Sequence, residues 1–148
     1  MRLNVAREVA RAERHFRKLL GVLPEPIRAM AEYAPEALVA YLQFKDYIYK
    51  PKAQVGLDLK TKELLYVVLD TATGNLAGAN NHLRAAVDAG LNLTELAEAM
   101  IQIMNVCGIT TWGQTGYKVM DHAKALIVDR KNAPRTEPKA RKATRRKA

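Results

Sequence analysis

The chain has 148 residues, 49% of them apolar, which suffices for one globular domain with its own core. No apolar run reaches the roughly 18 residues that a membrane-crossing helix needs, and a single cysteine, Cys107, excludes an intramolecular disulfide framework. The net charge of +9 sits at one end: residues 130–148 carry nine Lys or Arg against one Glu, a net +8, which leaves +1 for the other 129 residues.

Helical periodicity dominates and no alternating strand pattern appears, so the fold class is all-α. A first helix is predicted over about residues 3–20, with Val5, Val9, Ala12, Phe16 and Leu19 on one apolar face. Its arginines suggest a transit peptide, but Glu8 and Glu13 favour a folded surface helix, and the cytoplasm is the default compartment. Gly21 ends this helix, and Pro24 and Pro26 are expected to keep the next stretch extended. A short helix then leads to Pro35, which opens another over about residues 36–49, closed by Pro51.

Asp58 or Thr61 starts a helix running to Thr73, and Gly74 permits a tight reversal. The next helix covers about residues 75–89 and ends at Gly90. A third begins at Asn92 or Thr94, has Glu95 in its first turn, and runs to about Val106. The dense apolar stretches at residues 64–69 and 96–104 read as core helices. After Cys107 and Gly108, a last helix extends from near Thr111 to Val128. Residues 1–130 are thus one α-helical domain with its core at 57–128. Residues 131–148 read as a disordered basic tail with almost nothing to bury.

Glu63 and His82 stand out. With Gly74 as the tip of an antiparallel hairpin, Glu63 lies eleven residues before it and His82 eight after it. At about 1.5 Å rise per residue their heights differ by roughly one helical turn, so the side chains can meet. A carboxylate beside an imidazole orients the ring and favours its protonated form, which suits a general acid. Each residue also has a plainer reading, as a macrodipole-stabilising Glu and a structural His. His15 and His122 read as surface or interface residues, and Cys107 as a small buried hydrophobe. Three isolated His and one Cys do not form a metal site, and there is no glycine-rich phosphate loop or Gly-x-Ser-x-Gly elbow, so no metal or cofactor is expected.

Leu57 to Leu65, His82 to Leu91 and Glu95 to Met104 together resemble the core of the carboxymuconolactone decarboxylase and alkylhydroperoxidase D superfamily. The peroxidase branch carries Cys-x-x-Cys-x-x-x-His, but the two cysteine positions here are Asn75 and Gly78, which excludes that dithiol chemistry. The decarboxylase branch lacks the pair, keeps the His, and carries Tyr-Cys-Gly-Val-Pro, similar to Val106-Cys107-Gly108-Ile109-Thr110. This sequence departs from it at Thr110 and at Thr111-Trp112-Gly113.

The resemblance implies an alkylhydroperoxidase D-like helical bundle that assembles as a homo-oligomer, a trimer or hexamer, with the site near a subunit contact. It implies loss of carbon dioxide from a small carboxylated lactone or related carbonyl compound, with His82 as acid and Glu63 as its orienting partner. Arg84 could hold a substrate carboxylate, and Cys107 and Trp112 are further substrate-binding candidates. Two other readings stay open. One is a thiol-dependent peroxidase using Cys107 alone; the other is a non-catalytic oligomer whose tails at 130–148 contact nucleic acid. No membrane partner is expected.

Overall fold

The computed structural model describes residues 4–132; the predicted tail lies outside them apart from its first two residues. Among the described residues there are helices and no strands. They are α1 (Val5–Leu20), α2 (Glu25–Tyr33), α3 (Pro35–Ile48), α4 (Lys52–Val55), α5 (Leu59–Ala72), α6 (Leu76–Asp88), α7 (Leu93–Cys107), α8 (Ile109–Thr111) and α9 (Tyr117–Asn132). A π-helical turn, Trp112–Gly116, joins α8 to α9. No described helix is long and apolar enough to cross a membrane.

Local signals start and stop most of these helices. Asn4, Asp58, Asn75 and Asn92 each accept a backbone N–H at a helix start, and Asn92 forms a reciprocal capping box with Glu95. Gly21 ends α1 at φ 76°, a left-handed conformation that disfavours a Cβ. One expectation needs correcting: Pro24 is extended, but Pro26 lies in the first turn of α2, where its missing N–H costs nothing. The one-turn helix α4 lacks a side-chain N-cap and is closed by Gly56 at φ 88°, whose N–H returns to the Lys52 carbonyl.

Helix α6 joins two cores. Ala79, Leu83, Ala86 and Val87 pack with Val67 of α5, Leu96 and Met100 of α7, and Val119 and Ala123 of α9. Ala85, on another face of α6, packs with Ala12, Phe16, Ile27, Leu38 and Leu42 from α1, α2 and α3. Alanines on α6 let helices approach from several sides, and α5 and α6 pack most extensively of all pairs. The stretches at 64–69 and 96–104 are only half core: Leu65, Leu69 and Ile101 face outward in the single chain.

The tip of the α5–α6 hairpin is a polar knot. Gly74 turns the chain at φ 77°, Asn75 Nδ2 donates to Asp70 Oδ1 at 2.9 Å, and Asn75 Oδ1 accepts from the Gly78 N–H at 3.1 Å. A Cβ on Gly78 would lie 2.6 Å from Asp70 Oδ2 and would also run into the Asn75 amide. Two opposing effects therefore meet in Gly78→Ala: a helix gain of about 1 kcal/mol against overpacking of about 1–3 kcal/mol. The clash should win and lower the thermal midpoint; a midpoint raised by the substitution would show that the knot yields freely.

Candidate functional site

Helices α5 and α6 bring Glu63 and His82 together. Glu63 is the fifth residue of α5, one turn inside its start, and its side chain is fully buried. Its Oε2 lies 2.7 Å from His82 Nδ1, and the imidazole keeps 13% of its side-chain surface exposed. A carboxylate excluded from water is costly unless paired and hydrogen-bonded, and this contact supplies the partner. Nδ1 faces the carboxylate, which leaves Nε2 as the nitrogen free to exchange a proton with a ligand.

Residues not singled out in the sequence enclose the pair. The Tyr66 ring stacks on the His82 imidazole, with centroids 4.2 Å apart and planes 12° from parallel. Tyr66 is one turn after Glu63 on α5, so one helix supplies both the carboxylate and the lid on the imidazole. Lys45, only 3% exposed, donates to the Tyr66 hydroxyl at 2.9 Å and sits 4.0 Å from the Tyr66 ring centroid, with Tyr41 and Tyr49 also within cation–π range. Burial lowers the Lys45 pKa, opposed by Glu63 and Asp70. Burial pushes the Tyr66 hydroxyl up to about 12, so it stays protonated at neutral pH.

Behind Glu63 lie Tyr49 and His15. The Tyr49 hydroxyl is raised far above the usual phenol range, by burial first and by the Glu63 charge second. Tyr49 Oη, Glu63 Oε1 and His15 Nε2 are buried without a well-formed hydrogen bond, although Tyr49 lies close enough to feel the carboxylate. The His15 ring meets Tyr49 edge-on at 5.7 Å and Phe16 at 5.4 Å. His15 is part-buried, packed behind the site and opening onto a groove on its other side, and desolvation lowers its pKa. His122 is half-buried on α9.

Two open grooves flank the pair. The first, about 340 Å³, is lined by Tyr47, Ile48, Val55, Leu57, Leu65, Leu69, Lys62 and Tyr66. The second, about 380 Å³, includes His15, Tyr49, Leu19, Leu59 and Ala85. His82 lines neither groove directly; Tyr66 stands between it and the first.

Other sequence candidates fall elsewhere. Arg84 is exposed on another face of α6, its stem packed over Gly21, in a separate depression with Asp88, Asp129 and Arg130. Cys107 is exposed rather than buried, because it is the last residue of α7, where Gly108 at φ 88° turns the chain away. Trp112 packs against the main core beside Gly116, and neither it nor Cys107 lines the two flanking grooves. No cluster of His, Cys, Asp or Glu able to hold a metal occurs among the described residues.

A model of the "Carboxymuconolactone decarboxylase family" matches residues 35–114. The chain belongs to this family. The matched segment holds Lys45, Tyr49, Glu63, Tyr66 and His82, whereas His15 lies before it. The crystal structure of a "putative carboxymuconolactone decarboxylase" from Burkholderia xenovorans LB400 is similar, with 34% sequence identity and a TM-score of 0.80 over 87% of this chain and 98% of that one. No curated protein matches. Asn75 and Gly78, neither of them a thiol, are hydrogen-bonded to each other at the start of α6.

One pH dependence follows from His15. Its pKa lies below the ordinary 6.5, so the unfolded chain takes up the proton first on acidification. The stability it contributes is complete above that ordinary value and is lost as pH falls toward the folded value. From about pH 7.5 to about pH 5, the wild-type melting temperature should fall more than that of His15→Phe, which keeps a ring and loses the titration. Parallel curves would contradict this.

Proposed function

We propose that the chain is a decarboxylase-like lyase, or a closely related acid–base enzyme, acting on a small carboxylated lactone or similar carbonyl compound. The observation that carries this reading is the 2.7 Å contact between a fully buried Glu63 and a His82 that keeps a narrow exposed window. Glu63 orients the ring through Nδ1 and stabilises the imidazolium; Nε2 then delivers the proton.

The chemistry asks little else. The bond from the ring carbon to the carboxylate breaks, carbon dioxide leaves, and the electron pair passes into the adjacent carbonyl system. His82 returns a proton to carbon, the carbonyl re-forms, and the neutral imidazole is reprotonated from solvent. The developing negative charge needs a fixed donor.

Homo-oligomerisation is part of the reading. Phe44, Tyr47, Leu65 and Leu69, on α3 and α5, are 46–62% exposed in the single chain, an apolar surface suited to cover by a second copy. Tyr47, Leu65 and Leu69 also wall the first groove, so a trimer or hexamer contact there would border that groove with a second copy.

His82→Gln should lower turnover of a carboxylated lactone by about a hundredfold to ten-thousandfold, the usual worth of a general acid. Cys107→Ser should leave it unchanged. Glutamine retains a hydrogen-bonding partner for Glu63, whereas alanine would leave a buried carboxylate unpaired at a cost of about 3–5 kcal/mol. Unchanged turnover in folded His82→Gln would remove the mechanism, and loss of activity in Cys107→Ser would point to thiol chemistry.

A further inference from the structure

We infer that the groove between α3 and α5 is a binding site for the oxyanion of a planar, largely apolar carbonyl compound, with the Tyr66 hydroxyl as the donor and Lys45 as the residue that positions it. The binding rests on the groove's own geometry and not on the acid–base reading above, because Tyr66 stands between His82 and this groove.

Hydrogen-bond direction is decisive. Lys45 can only donate, so the Tyr66 oxygen accepts from Nζ at 2.9 Å. Once its oxygen is engaged as an acceptor, the Tyr66 proton is left to donate elsewhere. A phenol hydrogen-bonded by an ammonium becomes a stronger donor, because the positive charge polarises the O–H bond. The ring cannot swing away: it is stacked flat on His82 and capped by the Lys45 ammonium.

Tyr66 lines the first groove, whose other walls are mainly the side chains of Tyr47, Ile48, Val55, Leu57, Leu65 and Leu69. Such a lining suits a flat carbon skeleton. A volume of about 340 Å³ is within the range of small-molecule pockets. The second cation on this side is Lys62, a groove residue whose Nζ is held on the Lys50 carbonyl at 2.6 Å.

The charged and titratable groups around Tyr66 are Lys45 and Tyr41 from α3, Glu63 and Asp70 from its own helix, and His82 from α6. Both carboxylates are engaged, Glu63 by His82 and Asp70 by Asn75. An anion at the Tyr66 hydroxyl is favoured by the phenol's own hydrogen bond and by Lys45 behind it, and is opposed by the charges of Glu63 and Asp70.

The test uses 4-nitrophenol with the full chain in its native assembly. This planar phenol mimics an enolate, and its ionised form is read from its visible absorbance. Wild type should bind the phenolate and lower its apparent pKa. Tyr66→Phe, which keeps the ring stack and removes the donor, should weaken phenolate affinity by about tenfold or more and abolish the absorbance shift. Lys45→Gln should reduce the shift with Tyr66 still present. A wild-type assembly that binds nitrophenolate but turns over no carboxylated lactone would sink the lyase reading and leave this site standing. Equal phenolate binding by Tyr66→Phe would overturn the assignment, and so would a wild-type assembly that binds no nitrophenolate because a second copy fills the groove.

Discussion

The arrangement depends on one buried carboxylate. Glu63 has no exposed side-chain surface, and a charge in that position survives only with a partner at hydrogen-bonding distance. His82 is that partner, so the register between α5 and α6 is functionally constrained: a displacement of one residue along either helix would move the two groups apart by about 1.5 Å and rotate them away from each other. The hairpin's tip serves the same end. Asp70, Asn75 and Gly78 form a compact polar turn that fixes where α6 begins, and with it where His82 falls.

At that tip Asn75 caps the helix, and a Cβ on Gly78 would crowd the Asn75 amide and the Asp70 carboxylate. Around the acid pair the fold has layered Tyr66 and Lys45 on one side and Tyr49 and His15 on the other, all largely withdrawn from water. Removing water strengthens each electrostatic contact in the cluster and raises the cost of any group left unpaired.

Much of this was legible in the residues. The Glu63–His82 contact follows from counting along two helices to Gly74, because helical rise is regular and the loop is short. Asn75 and Asn92 declared their helix starts through local side-chain to backbone bonds. The enclosing residues were less visible, since they arrive by long-range packing. Tyr41, Lys45 and Tyr49 recur every four residues, a stripe that marks one helix face, yet a lysine on an amphipathic helix normally points to water. His15 sits beside the buried Phe16 and three residues after the buried Ala12, a placement that only tertiary contact distinguishes from a surface histidine. Cys107 misled in the opposite direction: its apolar character suggests burial, but the chain turns outward at Gly108. The π-helical turn over Trp112–Gly116, where the Thr115 hydroxyl reaches the Thr71 carbonyl at 3.0 Å, has no local sequence signature.

The most direct test of the account is a long-range proton–nitrogen NMR correlation of the His82 imidazole, recorded at neutral pH in wild type and in Glu63→Gln. The account predicts that Nδ1 carries a proton held in a strong hydrogen bond, seen as a far-downfield signal that weakens or moves upfield when Glu63 becomes glutamine. A neutral ring protonated only at Nε2, with no change on substitution, would mean that Glu63 does not orient His82. The acid–base assignment would then fail.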